Sequence, residues 1–200
     1  MTAKIKLNAA SGGGSFSLQA PSSSANNRVF TIPDVADGTI ATTATAGKTL
    51  QVVQNVTTTR TATSSGTFVA TSALVTITPT VASSKILIQF TGNGNTQGND
   101  RYFVLTVYRS INSGTYTNIA PQGSNKTFGG NNNHGFTGVI RGTSSRIQVP
   151  FHVQYLDTPS YSVGNSIVYK LYVRSGGNEI EIPHSDEAEP LISIAKEIAA

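Results

Sequence analysis

The stretch KILIQF, residues 85–90, decides the fold, because apolar and polar side chains alternate along it with the two-residue period of a half-buried strand. The same alternation recurs in VTITP (75–79), IQVPFHVQYL (147–156) and IVYKLYV (167–173). Segments of this kind bury one face and leave the other exposed. They predict strands rather than helices.

Further strand candidates lie on both sides of these segments. The predicted strands are Leu50–Thr57, Thr67–Val69, Leu74–Thr78, Lys85–Thr91, Arg101–Arg109, Tyr116–Ile119, Phe136–Ile140, Arg146–Leu156, Ile167–Arg174, Glu179–Ile182 and Leu191–Ile198. The last of these also permits a helix, because it contains alanine, lysine and glutamate, but its alternating isoleucines favour a closing strand. Polar turn sequences separate them, among them GNGNTQGND at 92–100 and NSG at 112–114. Short strands at this spacing predict an all-β chain that folds as an antiparallel jelly-roll β-sandwich.

The composition agrees with an all-β fold. Thr, Ser, Asn and Gly supply 82 of the 200 residues, and only 24 residues are charged. Threonine suits pleated surfaces, while glycine, asparagine and serine suit turns. The chain has no cysteine, which excludes disulfides, thiolate metal sites and a cysteine nucleophile.

The first part of the chain differs from the rest. Residues 8–43 are rich in glycine, serine and asparagine, and only SFSLQ (15–19) and RVFTI (28–32) alternate as strands do. Two strands of five residues are not stable alone in water, so we expect them to pair with the body, with another copy or with a host surface. We therefore predict an attachment arm at residues 1–48 and a jelly-roll knob domain at residues 49–200.

Three segments carry a resemblance to a known class of proteins. Residues 63–90, 155–177 and 191–199 resemble the tumour-necrosis-factor-like jelly-roll knobs of tailed-bacteriophage virion proteins. The head at 11–43 resembles a short module that recurs near the start of phage fibre and appendage proteins. The resemblance implies a homotrimer that is assembled in the host cytoplasm, is located in the virion and binds phage capsid or tail proteins.

Two functions remain open within that class. A capsid decoration (cement) protein needs a short anchor and a compact trimer, and we favour it because the sequence offers no long shaft. The alternative is a short tail fibre or receptor-binding knob that recognises a host-surface glycan or protein. A third class, a secreted glycan-binding module, also stays open.

Two sets of residues are the candidate sites for these roles. The apolar residues of the two head strands are predicted to attach the protein to the virion; they are Phe16, Leu18, Val29, Phe30 and Ile32. The polar loop 123–135 is predicted to be exposed and to contact a host, since surface loops tolerate variation and carry binding residues. Its candidate residues are Asn131, Asn132, Asn133 and His134.

No motif predicts catalysis or a cofactor. His134, His152 and His184 lack the spacing of metal ligands, and no G-x-S-x-G nucleophile elbow occurs. Glu179 and Glu181 share one face of a predicted strand, where we expect a solvated edge. We therefore expect neither an enzyme nor a metal or cofactor site.

The charge pattern also limits the partners. The net charge is +4, and the basic residues are dispersed along the chain rather than clustered, which argues against nucleic-acid binding. Residues 1–20 show no export signal, and no apolar stretch approaches the ~18–20 residues that span a bilayer. We expect no membrane insertion.

Overall fold

A computed structural model of the chain describes residues 4–8, 11–13, 15–19, 47–96, 102–121, 135–138, 147–183 and 189–200. The described residues form thirteen strands and no helix. The strands are β1 (Lys4–Asn8), β2 (Ser15–Gln19), β3 (Thr49–Thr57), β4 (Thr61–Thr63), β5 (Val69–Ile77), β6 (Lys85–Thr96), β7 (Phe103–Ile111), β8 (Thr117–Asn118), β9 (Thr137–Gly138), β10 (Ile147–Asp157), β11 (Ile167–Ser175), β12 (Ile180–Ile182) and β13 (Leu191–Ile198). Accordingly, this part of the chain contains no helix that could cross a membrane.

The chain forms two compact units, Met1–Ile40 and Ala41–Ala200. In the first unit β1 and β2 form an antiparallel pair in which Lys4 lies opposite Gln19 and Asn8 opposite Ser15. The strand predicted at residues 15–19 therefore pairs with the strand before it in the chain. The assignment of an arm and a knob domain on either side of residue 48 stays a prediction.

The second unit is a sandwich of two antiparallel sheets. The six-stranded sheet has the order β3–β13–β6–β12–β4, with β10 also paired to β6, and the five-stranded sheet has the order β5–β11–β7–β8, with β9 paired to β7. Successive long strands lie in opposite sheets: β3, β6, β10 and β13 in the first, and β5, β7 and β11 in the second. This is the jelly-roll arrangement, so the predicted fold class is confirmed.

The core lies between the sheets and follows from the alternation seen in the sequence. Ile86, Ile88 and Phe90 of the KILIQF segment are fully buried, as are Tyr169 and Leu171 of the opposite sheet. Intervening residues of the same strands point away from the core. Large apolar side chains from both inner faces thus form one continuous core.

Part of the turn predicted at residues 92–100 is a strand. Residues 92–96 continue β6, and Thr96 pairs with Ile147 of β10. The glycines there make room for aromatic rings: a Cβ on Gly94 would lie 2.9 Å from Cζ of Phe103, and one on Gly92 would lie 3.4 Å from Cζ of Phe151. Glycine within a strand often marks such a close approach. Residues 92–96 were predicted as a turn because their glycines and asparagines are typical of turns.

Three more details differ from the prediction. The strand placed at Thr67–Val69 is wrong, because β5 begins at Val69, and the short strand β4 was not predicted. The expected solvated edge at Glu181 is also wrong. Glu181 is buried and forms an ion pair with Arg60 and a 3.4 Å hydrogen bond from Nδ2 of Asn95. A buried carboxylate needs such partners.

Candidate interaction surface

The outer face of the six-stranded sheet is an unusual surface, and we call it the open face. It consists of the outward side chains of β3, β13, β6 and β10. Register places them in three cross-strand rows, which are Val56–Ile192–Thr91–His152, Gln54–Ile194–Gln89–Gln154 and Val52–Lys196–Leu87–Leu156. Opposite residues in such rows contact one another across the strands.

In β13 the usual distribution of apolar residues is inverted. The side chains that face the core are those of Leu191, Ser193, Ala195 and Glu197, which are all buried. The outward side chains are the larger apolar residues Ile192, Ile194 and Ile198, interrupted by Lys196. A strand with one solvated face normally places its apolar residues inward.

Strand β3, which lies beside β13, shows the inversion in part, although its inward Val53 packs against the core. Its inward positions include Gln51 and Asn55, and Nδ2 of Asn55 donates a 2.9 Å hydrogen bond to the carbonyl oxygen of Leu74 in the opposite sheet. Its outward residues Val52 and Val56 are 58% and 48% exposed. At the other edge of the face Leu156 is 43% exposed. The open face is thus largely apolar on β3 and β13, with Leu87 of β6 and Leu156 of β10 extending it across the third row.

A polar network lies on the open face between β6 and β10. The hydroxyl of Thr91 lies 2.8 Å from Nδ1 of His152, whose Nε2 lies 3.3 Å from Oε1 of Gln154. That same oxygen accepts a 3.1 Å hydrogen bond from Nε2 of Gln89. Because a carbonyl oxygen only accepts, Nε2 of His152 is the donor. Since these groups already satisfy one another, less free energy is lost if a partner covers them.

A second network joins the two sheets through the carboxylate of Asp157. Nη1 of Arg109 lies 2.9 and 2.8 Å from its two oxygens, and the phenol of Tyr169 donates a 2.7 Å hydrogen bond to Oδ2. Burial and the neighbouring Asp157 carboxylate raise the pKa of Tyr169 far above its ordinary value, so this phenol stays protonated. Asp157 and Tyr169 are buried, and these contacts fix the sheets to each other.

A third polar centre holds the turn between β5 and β6. The carboxylate of Glu197 is fully buried and accepts hydrogen bonds from the main-chain N–H groups of Thr80 and Val81 and from the side chains of Ser84 and Gln51. Burial raises the pKa of this carboxyl, but these donors outweigh it, and the pKa is lowered. The charge is thereby kept inside the sandwich.

The predicted attachment residues are only partly described. Phe16 and Leu18 lie in β2, opposite Leu7 and Ile5. Val29, Phe30 and Ile32 lie outside the described residues. Their role in attachment stays a prediction.

The predicted host-contact residues, which are Asn131, Asn132, Asn133 and His134, also lie outside the described residues, and their role stays a prediction. Among the residues that the structure describes, no group of three His, Cys, Asp or Glu side chains is arranged to hold a metal. His152 is exposed, as the alternation of its strand predicted.

The open face was not predicted from the sequence. The signal was present, because Ile192, Ile194 and Ile198 share one side of the last strand while Ser193 and Glu197 share the other. Reasoning from hydrophobicity alone assigns the isoleucines to the core. Their outward direction is shown by the burial of Ser193 and Glu197 on the other side of the strand.

Comparison with known proteins adds little to this picture. The chain matches no protein-family model and no curated protein. A solved structure titled "Structure of infectious bursal disease virus Gt strain" resembles it with a TM-score of 0.36 and 14% identity, over 94% of this chain and 48% of that one. The chain therefore spans about half the length of that viral chain. A likeness at this level carries no argument about function.

Proposed function

We propose that the protein is a structural component of a tailed-bacteriophage virion, a homotrimeric capsid decoration (cement) protein attached through its N-terminal arm. The proposal involves no catalytic step and no cofactor. Its partners are two further copies of the chain and a protein of the capsid surface. The resemblance of residues 63–90, 155–177 and 191–199 to phage knobs supports the class and the number of copies.

The inversion of β3 and β13 is the observation that carries the proposal. An isolated chain leaves Val52, Val56 and the outward isoleucines of β13 in contact with water, while Gln51 and Glu197 occupy the inner side. Burying apolar area is favourable by about 25 cal/mol per Å², so a surface of this kind is stabilised by a partner. In a closed ring of three copies, each open face packs against a different surface of the next copy, and that copy is the partner.

The charges of the open face fit a contact between identical copies. In the three rows Lys196 is the one charged residue, and it lies between Val52 and Leu87. A second lysine, Lys85, is exposed at the end of the face opposite Ile198. Like charges near a symmetry axis repel, so a contact between identical copies has to keep both ammonium groups in water. The stem of Lys196 can lie along its apolar neighbours and leave the ammonium group in water.

The arm supplies the attachment to the particle. Within the part of residues 1–46 that the structure describes, β1 pairs with β2 alone, and a two-stranded sheet is marginally stable in water. Addition of an edge of this pair to a strand of a capsid protein would satisfy main-chain donors and acceptors. The predicted attachment residues Phe16 and Leu18 lie in this pair.

The alternative function is a short tail fibre or receptor-binding knob. Tyrosine side chains on the outer face of the five-stranded sheet favour it, because exposed aromatic groups are common in recognition surfaces. A tail protein would use the same trimer but in far fewer copies.

Two measurements test the proposal. Sedimentation equilibrium of the purified chain should give a mass three times the 20.9 kDa of the monomer. Quantitative mass spectrometry of purified particles should find many copies spread over the head. A monomer at micromolar concentration contradicts the trimer, while a handful of copies confined to the tail contradicts decoration and supports the fibre.

A further inference from the structure

The outer face of the five-stranded sheet carries a cluster of aromatic side chains that lies outside the core between the sheets. Tyr108 and Tyr172 stack with ring centres 4.0 Å apart at 26°. Tyr116 lies 6.3 Å from Tyr172, and Phe68 lies 6.4 Å from Tyr108 with its ring edge-on. We call these four residues the aromatic cluster; none of them belongs to the core cluster.

The aromatic cluster is partly open to solvent. Tyr116 is 37% exposed, and Tyr108 and Tyr172 are half-buried. Burial raises the pKa of the Tyr108 phenol, and burial together with the Tyr116 and Tyr108 phenols raises that of Tyr172. These hydroxyls therefore stay protonated and can donate hydrogen bonds to a ligand. Exposed tyrosines combine an apolar ring face with a polar tip.

The described strands that carry the cluster have charges of one sign. Lys170 lies directly opposite Tyr108 across the strands, and the guanidinium of Arg174 lies 5.7 Å from the ring centre of Phe68. The strands β5, β7, β8 and β11 contain no acidic residue. A ligand with a negative charge is thus attracted to this face and meets no carboxylate on these strands.

We propose that the aromatic cluster, together with Lys170, binds an anionic saccharide. The flat C–H face of a pyranose ring packs on Tyr116 or Tyr172, the phenols donate to its hydroxyls, and Lys170 pairs with a carboxylate on the ring. This combination of an apolar platform with a few directed polar groups is typical of small-ligand sites.

A single-stranded nucleic acid also stacks on aromatic rings, but it requires more positive charge. Such sites combine stacking with a basic groove that follows several phosphates. Here Arg174 is buried, which leaves Lys170 as the cation available beside the described part of the cluster. One accessible cation suits a sugar that carries one carboxylate. The inference does not depend on the proposed trimer, since a single chain already presents this face.

The test is isothermal titration of the full chain with alginate oligosaccharide, a chain of uronic acids, at physiological ionic strength. Dextran oligosaccharide serves as the neutral pyranose and oligouridylate as the nucleic acid. We expect alginate to bind more tightly than either. If dextran binds as tightly as alginate, the proposed role of Lys170 is wrong. If oligouridylate binds more tightly than alginate, the proposal of a saccharide ligand is wrong.

Matched variants locate the site. Tyr116→Ala and Lys170→Gln should each weaken alginate binding about tenfold or more. Lys48→Gln removes an exposed charge elsewhere and should leave binding unchanged. Far-ultraviolet circular dichroism verifies that each variant is folded. No binding of alginate, or equal losses in Lys48→Gln and Lys170→Gln, would contradict the proposal.

Discussion

The carboxylate of Glu197 accepts hydrogen bonds from the main-chain N–H of Thr80 through both of its oxygens, at 2.9 and 3.0 Å. The two residues lie 117 positions apart in the chain. Glu197 is in the last strand of the six-stranded sheet, whereas Thr80 is in the turn that links the two sheets. One buried charge thus holds that turn in the position from which β6 begins.

Glu197→Gln should lower the free energy of unfolding by about 3 kcal/mol, because the amide retains one acceptor and turns an N–H₂ group toward donors. Urea unfolding followed by circular dichroism measures the change. Glu179→Gln, at an exposed position outside this network, should stay within about 0.5 kcal/mol of the parent. Equal effects of the two substitutions would show that the network around Glu197 contributes nothing specific.

Stability should also fall in acid because of Glu197. Its pKa in the folded chain is lowered from the ordinary value of 4.5, so its ionised form contributes stability that is fully present above pH 4.5. That contribution is lost as the pH falls below 4.5 through the lowered pKa of the folded state. Thermal unfolding between neutral and acidic pH should show a steeper decline in the parent than in Glu197→Gln. Parallel declines would contradict the assignment.

The alternation of the sequence was sufficient to predict the fold class and most strands. The last strand, Leu191–Ile198, agrees with its prediction at both ends, because every second side chain packs on one side. Residues 92–96 were misread because glycine and asparagine favour turns in isolation. Their strand conformation depends on Phe103 and Phe151, which are distant in sequence and pack against the glycines.

The candidate surface was harder to predict than the fold. Hydrophobicity indicates which residues of β13 lie on the same side, but it does not indicate which side faces the core. The polar partners of Glu197 and Asn55 come from other strands, so the burial of their side of each strand is a tertiary effect. A strand with isoleucine outward and glutamate inward is therefore visible only once the sheets are assembled.

Substitutions at Asp157 and Arg109 should have strongly coupled effects on the free energy of unfolding. Asp157→Leu alone leaves the Arg109 guanidinium and the Tyr169 phenol without their acceptor and should cost about 3 kcal/mol. Combining it with Arg109→Met removes the unpaired charge and should recover part of the loss. A double-mutant cycle from urea unfolding gives the coupling energy. Simple additivity of the two changes would argue that the pair is not coupled.

The open face can be separated from general surface hydrophobicity by two matched valines. Val52, on the open face, is 58% exposed, and Val163, in the turn after β10, is 56% exposed. Val52→Asp should shift the sedimenting species from trimer to monomer, because it places a charge in the proposed interface. Val163→Asp should leave the trimer intact. Equal effects on assembly would argue against the open face as the interface.

Deleting residues 1–43 tests whether attachment and assembly belong to different parts of the chain. The sandwich of Ala41–Ala200 has its own core, and the open face lies entirely within it, so the truncated chain should remain a soluble trimer by sedimentation. It should no longer bind to capsids that lack the protein, because the strands proposed to pair with the capsid are gone. Phe16→Ala with Leu18→Ala in the full chain is the finer variant and should weaken capsid binding without changing the trimer. Normal attachment of the truncated chain would contradict the role of the arm and would direct the search for the docking residues to the sandwich.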